Sequence, residues 1–146
     1  VFAPFGRFVT GPAEAGTRSF YSDRLHVRPD MSAPVLHVNN VEPSTLPIEV
    51  AGVEKHPHAA QCFLPLDVSR YVAMVMPSDE AGLPRPEGAV AFLMPGTLGI
   101  IYNPGVWHLG ATVLDRAGHF TVLMWRGGRV QDDVFRAIPP LIVTDT

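Results

Sequence analysis

The residues best suited to chemistry in this 146-residue chain are histidines, and three of the six stand in segments whose spacing matters. His56 and His58 flank Pro57 in EKHPHAAQCFLP (54–65), and Gln61 follows three residues after His58. Alternate residues of a strand share a face, so both imidazoles point to one side if the strand continues through Pro57. Further along, GIIYNPGVWH (99–108) carries a Pro104-Gly105 turn that can bring His108 back toward the first pair. Three readings of HPH stand open: metal ligands, acid–base groups near neutral pH, or an ordinary polar strand end.

Strands must position these groups. The segments 35–41, 46–56, 61–66, 70–77, 89–95, 98–103, 111–115 and 119–126 read as strands separated by turn signals such as SDEAGLPRPEG (78–88), PGT (95–97) and DRAG (115–118). Short strands at intervals of roughly 8–12 residues indicate an all-β sandwich or barrel. Residues 11–34 read as one long loop, and only 130–138 carries a weak helical period. No linker, repeat or low-complexity segment divides the chain, so residues 1–146 read as one domain.

Composition narrows the function. Apolar residues make up 47% and charged residues 17%, a balance that suits a folded core rather than a disordered chain. A net charge of −3 without a basic patch argues against nucleic acid. No apolar run approaches the roughly 20 residues of a membrane span. The first residues show no leader-peptide pattern, and the lone Cys62 has no partner for an internal disulfide. The expectation is a cytoplasmic protein acting on a small molecule.

Two resemblances sharpen this. HxH followed by Gln, then about fifty residues on by PGVWH, resembles the two halves of a cupin metal site. That likeness implies His56, His58, Gln61 and His108 as ligands for a divalent metal such as Ni, Mn, Zn or Fe. More specifically, E-x-HPH-x-x-Q-x-F-x-P (54–65), the YVAMVMP run (71–77), AFLMPGTLGIIYNPGVWH (91–108) and a later RGG resemble the ureidoglycolate lyase family over nearly the whole chain. The resemblance implies a cupin-type double-stranded β-helix, a homodimer, and cleavage of ureidoglycolate to glyoxylate and urea in allantoin breakdown. Four places depart from that family's usual residues: Asn40 near a usual Arg, Leu109 where a second His is common, His119 in place of Asp, and Trp125 in place of Asp.

Releasing urea from this carboxylate-bearing hemiaminal needs a base for the hydroxyl proton, an acid for the leaving nitrogen, and donors for the carboxylate. His56, His58 and His108 are the acid–base candidates, with Tyr102 as a further proton donor. Gln61, Lys55, Arg126 and Asn40 are the substrate-binding candidates, although strand alternation sets Lys55 opposite His56. The competing readings are another metal-dependent cupin enzyme on a small carboxylate (an isomerase, hydrolase or dioxygenase) and a non-catalytic ligand-binding cupin.

Overall fold

The computed structural model of the protein describes residues 1–127 and 132–145. Its strands are β1 (Gly6–Val9), β2 (Ala33–Val41), β3 (Pro43–Ser44), β4 (Ile48–Lys55), β5 (Gln61–Pro65), β6 (Arg70–Met76), β7 (Val90–Pro95), β8 (Gly99–Tyr102), β9 (Trp107–His108), β10 (Val113–Leu114), β11 (Gly118–Arg126) and β12 (Val134–Val143). One sheet has the order β1-β8-β5-β11-β2; the other runs β12-β4-β9-β6-β10-β3, with β7 paired to β6. The chain crosses between the sheets as it runs β4, β5, β6 and again β8, β9, then β11, β12. That alternation winds two sheets into the double-stranded β-helix barrel of the cupin type.

Side-chain alternation builds two cores. Tyr71, Ala73 and Val75 of β6 face the barrel interior with Phe63, Ile100, Tyr102, Phe120, Val122 and Met124. The intervening Val72, Met74 and Met76 face outward and pack with Val50, Val53, Trp107, Ile138 and Val143. Strand β6 is therefore buried on both faces, which is why its sequence is an unbroken apolar run. At the other extreme, among the described residues β2 pairs with β11 alone and leaves Leu36 and Val38 exposed.

Two local expectations change. Within 130–138, residues 134–138 form the start of β12, while 128–131 lie outside the described residues. Pro139 and Pro140 cannot sit inside a helix, and the β-branched Val134, Ile138, Ile142 and Val143 favour a strand. The prolines fall where the β12–β4 register shifts between Ala137 and Leu141, a place that tolerates missing N–H groups. The strand beginning near residue 46 ends at Lys55, so His56-Pro57-His58 is a bend. Proline lacks the N–H that would carry the ladder onward.

Candidate active site

Four strand ends and one bend meet at one end of the barrel. Glu54 of β4 lies directly across from His108 of β9, which pairs in turn with Val75, an interior residue of β6. Glu54 and His108 therefore point inward. Gln61 of β5 pairs with Tyr102 of β8, and both share the interior face with Phe63 and Ile100. The Pro104-Gly105 turn docks on the bend: the Gly105 N–H donates to the His56 carbonyl at 2.8 Å. Gly105 has φ +78, a conformation that glycine adopts without strain.

Each imidazole is oriented from behind. The Nδ1 of His56 lies 2.8 Å from the Asp132 carbonyl oxygen and 3.1 Å from Asp133 Oδ1. Two oxygens at Nδ1 place the proton there and leave a lone pair on Nε2. That Nε2 is buried with no hydrogen-bond partner among the described residues. His108 Nδ1 faces the Val106 carbonyl at 3.0 Å, while its Nε2 lies 3.2 Å from Gln61 Oε1 and 3.5 Å from Glu54 Oε1. Oxygen atoms thus lie near both nitrogens of His108. The Tyr102 ring stacks on His108 with centroids 4.1 Å apart.

The electrostatics match. Burial alone would raise the Glu54 carboxyl, but the hydrogen bond and charge of His108, with the charge of His56, outweigh it and hold the group ionised below its usual range. Tyr102 is pushed far up by burial, and then by Tyr71 and Glu54, so it remains a neutral phenol that can donate. Ligand atoms of Glu54, His56 and His108 all lie within 4.8 Å of one another. Two imidazole nitrogens and one carboxylate fit Mn, Fe, Ni or Zn. The unpartnered His56 Nε2 is the observation that makes the donor set fit a cation.

His58 lies half-buried in the bend, where its N–H donates to Asp132 Oδ1 at 2.7 Å and its carbonyl accepts from Arg28. It is outside the group of converging ligand atoms. Lys55 points away from His56: its Nζ donates to the Gly82 carbonyl at 3.1 Å and sits 4.5 Å from the Trp107 ring centroid. Asn40 is exposed on the outer face of β2 across from His119. Arg126 is exposed at the end of β11. Glu54 was not among the sequence candidates, yet E-x-H spacing on a strand carried the signal, since residues 54 and 56 share a face. Asp132 and Asp133 had no local signal; they meet His56 from 76 and 77 positions away.

Among solved structures, RmlC from Streptococcus suis in complex with dTDP-D-xylose aligns with TM-score 0.49 and 13% identity, over 80% of this chain and 52% of that one. A Burkholderia cepacia protein named ureidoglycolate lyase is 36% identical over 87% of this chain and 75% of its own length. A putative ureidoglycolate lyase of Agrobacterium fabrum is 31% identical over 91% and 82%, and a ureidoglycolate lyase of Pseudomonas savastanoi is 28% identical over 99% and 89%. The family model for ureidoglycolate lyase matches residues 1–140. By that match over nearly its whole length, and by relatives above 30% identity, the chain belongs to the ureidoglycolate lyase family.

Proposed function

We propose that this protein cleaves ureidoglycolate to glyoxylate and urea, and that Glu54, His56 and His108 form the reacting centre. Family membership supports the reaction, and the buried, unpartnered Nε2 of His56, whose ring lies beside Glu54 and His108, carries the site. The substrate carbon bears a hydroxyl, a carboxylate and the ureido nitrogen. Loss of the hydroxyl proton to the ionised Glu54 carboxylate lets its electrons form the aldehyde carbonyl as the C–N bond breaks, and the departing nitrogen takes up one proton from its donor. The proton on Glu54 passes back to that donor through solvent as product leaves.

Held by Glu54, His56 Nε2 and His108 Nε2, a divalent ion would act as a Lewis acid on the substrate hydroxyl. The chain's own groups do the rest. Asp132 and Asp133 keep the His56 proton on Nδ1, so Nε2 presents a lone pair. The Gln61 amide, whose Oε1 lies 3.2 Å from His108 Nε2, sits beside the reacting atoms and offers its N–H to the new carbonyl. Tyr102, kept protonated by burial, is the donor for the leaving urea nitrogen. His58 belongs to this reading as the residue whose backbone braces the bend. A cytoplasmic homodimer is also proposed; the uncharged β2 edge with exposed Leu36 and Val38 supports association with a second copy.

The test is product analysis on racemic ureidoglycolate. Glyoxylate and urea should appear in equal amounts and stop when one enantiomer is consumed. Chelation should lower the rate, and Mn, Ni, Zn or Fe(II) should restore it. Release of ammonia in place of urea would overturn the lyase reading.

A further inference from the structure

We infer that the loop joining β6 to β7 braces the reacting centre: the Gly82 carbonyl, held in place by Asp79, ties Lys55 to Trp107 and so sets Glu54 and His56 against His108. Lys55 and Trp107 are then positioning residues, and Asp79 acts on them from outside the site. The inference rests on the centre of Glu54, His56 and His108 proposed above.

The sheet by itself leaves that geometry loose. Strand β4 meets β9 through a single pair, Glu54 with His108. Elsewhere β4 pairs with β12, and β9 pairs with β6 through Val75 and Met76. A single pair is a point about which two strands can turn, and a small turn displaces groups that must act together. A second tie is made on the outer face. Glu54 and His108 point inward, so their neighbours Lys55 and Trp107 point outward. Lys55 Nζ donates to the Gly82 carbonyl oxygen at 3.1 Å, and Trp107 Nε1 donates to the same oxygen at 3.1 Å. A backbone carbonyl has two lone pairs and can take both donors. The Lys55 ammonium also lies 4.5 Å from the Trp107 ring centroid, within cation–π range.

The loop holds that oxygen still. It leaves β6 at Met76, the residue paired with Trp107. Asp79 Oδ1 accepts from the Ala81 N–H at 2.8 Å and from the Leu83 N–H at 2.9 Å. The Asp79 carbonyl accepts from the Gly82 N–H at 3.0 Å, and the Asp79 N–H donates to the Leu83 carbonyl at 2.8 Å. Ser78 bridges to Pro84, and the Arg85 N–H donates to the Pro77 carbonyl at 2.9 Å. An aspartate that collects successive N–H groups in this way organises the whole turn. Gly82 takes φ +80, a conformation open to glycine without strain. Asp79 itself is exposed and lies outside the group of converging ligand atoms.

Competition of the whole protein with a chromogenic chelator for Zn and for Mn tests this, with folding checked by thermal melting. Lys55→Met should weaken metal binding by about fivefold and Asp79→Ala by about threefold. Lys55→Arg keeps a donor over the ring and should stay within about twofold of wild type. Both losses act through one oxygen, so the double variant should lose no more than the larger single one. Asp115→Ala breaks the exposed pair with Arg70 at the opposite end of β6, and should bind as wild type. Wild-type affinity in both folded single variants, additive losses in the double variant, or an equal loss in Asp115→Ala would overturn the brace. If the wild-type protein binds neither metal, the reading of the centre fails by itself, and the His108 ring resonances of the metal-free protein decide the brace. Shifts shared by Lys55→Met and Asp79→Ala but absent from Lys55→Arg support it, and resonances unchanged in both overturn it.

Discussion

The barrel interior changes character at Tyr102. On one side Phe63, Tyr71 and Phe120 meet edge to face, with centroids 5.1 to 5.8 Å apart and planes near perpendicular. On the other, His56, Gln61 and His108 are equally buried and Glu54 is half-buried, yet one ring nitrogen has no hydrogen-bond partner among the described residues and another faces oxygen alone, at 3.2 and 3.5 Å. The same strands feed both halves: β5 gives Phe63 to one and Gln61 to the other, and β8 gives Ile100 and Tyr102. The aromatic half is consistent at every level of packing. The polar half breaks the rule that buried polar groups are satisfied, and such breaks concentrate where function lies.

Substitutions should separate the two halves. The largest expected effect on activity is at His108. His108→Ala should lose about 10³-fold in kcat/KM, in line with removal of a group that acts directly on the reaction, while melting within a few degrees of wild type. Phe120→Ala should do the reverse. It should cost about 3–5 kcal/mol of stability by urea unfolding and retain most activity in the cold. If both variants lost activity and stability together, the division of the barrel into two halves would be wrong.

Smaller effects sharpen the polar half. Asp133→Asn should weaken divalent metal binding by roughly 10-fold or more, measured by competition with a chromogenic chelator, because partners behind a ligating histidine set its orientation and basicity. Lys55 and Trp107 both bond the Gly82 carbonyl, at 3.1 Å each, from the faces opposite Glu54 and His108. Lys55→Met should therefore lower kcat by about 3-fold through loosened geometry, with recovery in Lys55→Arg. Smallest of all is the exposed Asp67–His119 pair. The His119 backbone N–H and then its ring hold the Asp67 carboxyl below its usual range. A depressed carboxyl stabilises above its unfolded pKa and stops doing so as pH falls through the folded one. The melting difference between wild type and Asp67→Asn should be present above about pH 4 and vanish in stronger acid, with activity unchanged.

Much of this was legible in the chain. Period-2 alternation and regular turns gave an all-β barrel, and the family motifs lie along it in order. His56, His108, Gln61 and Tyr102 come together at one end. The opposite orientation of Lys55 followed from alternation alone. His58 departs from the simple pattern because Pro57 ends the strand, which turns a same-face pair into a bend. Strand β12 was hidden because its bulge and paired prolines interrupt the period by which a strand is recognised. Asp132 and Asp133 reach His56 only through tertiary folding, and no spacing rule connects residues that far apart.

The most direct test of the central claim is a side-by-side assay of wild-type protein and folded His56→Ala on racemic ureidoglycolate, with glyoxylate and urea both quantified. Equal release of the two products by wild type, with loss of about three orders of magnitude in the variant, is the expected result. Equal rates for the two proteins would contradict the assignment of the reaction to the cluster of Glu54, His56 and His108.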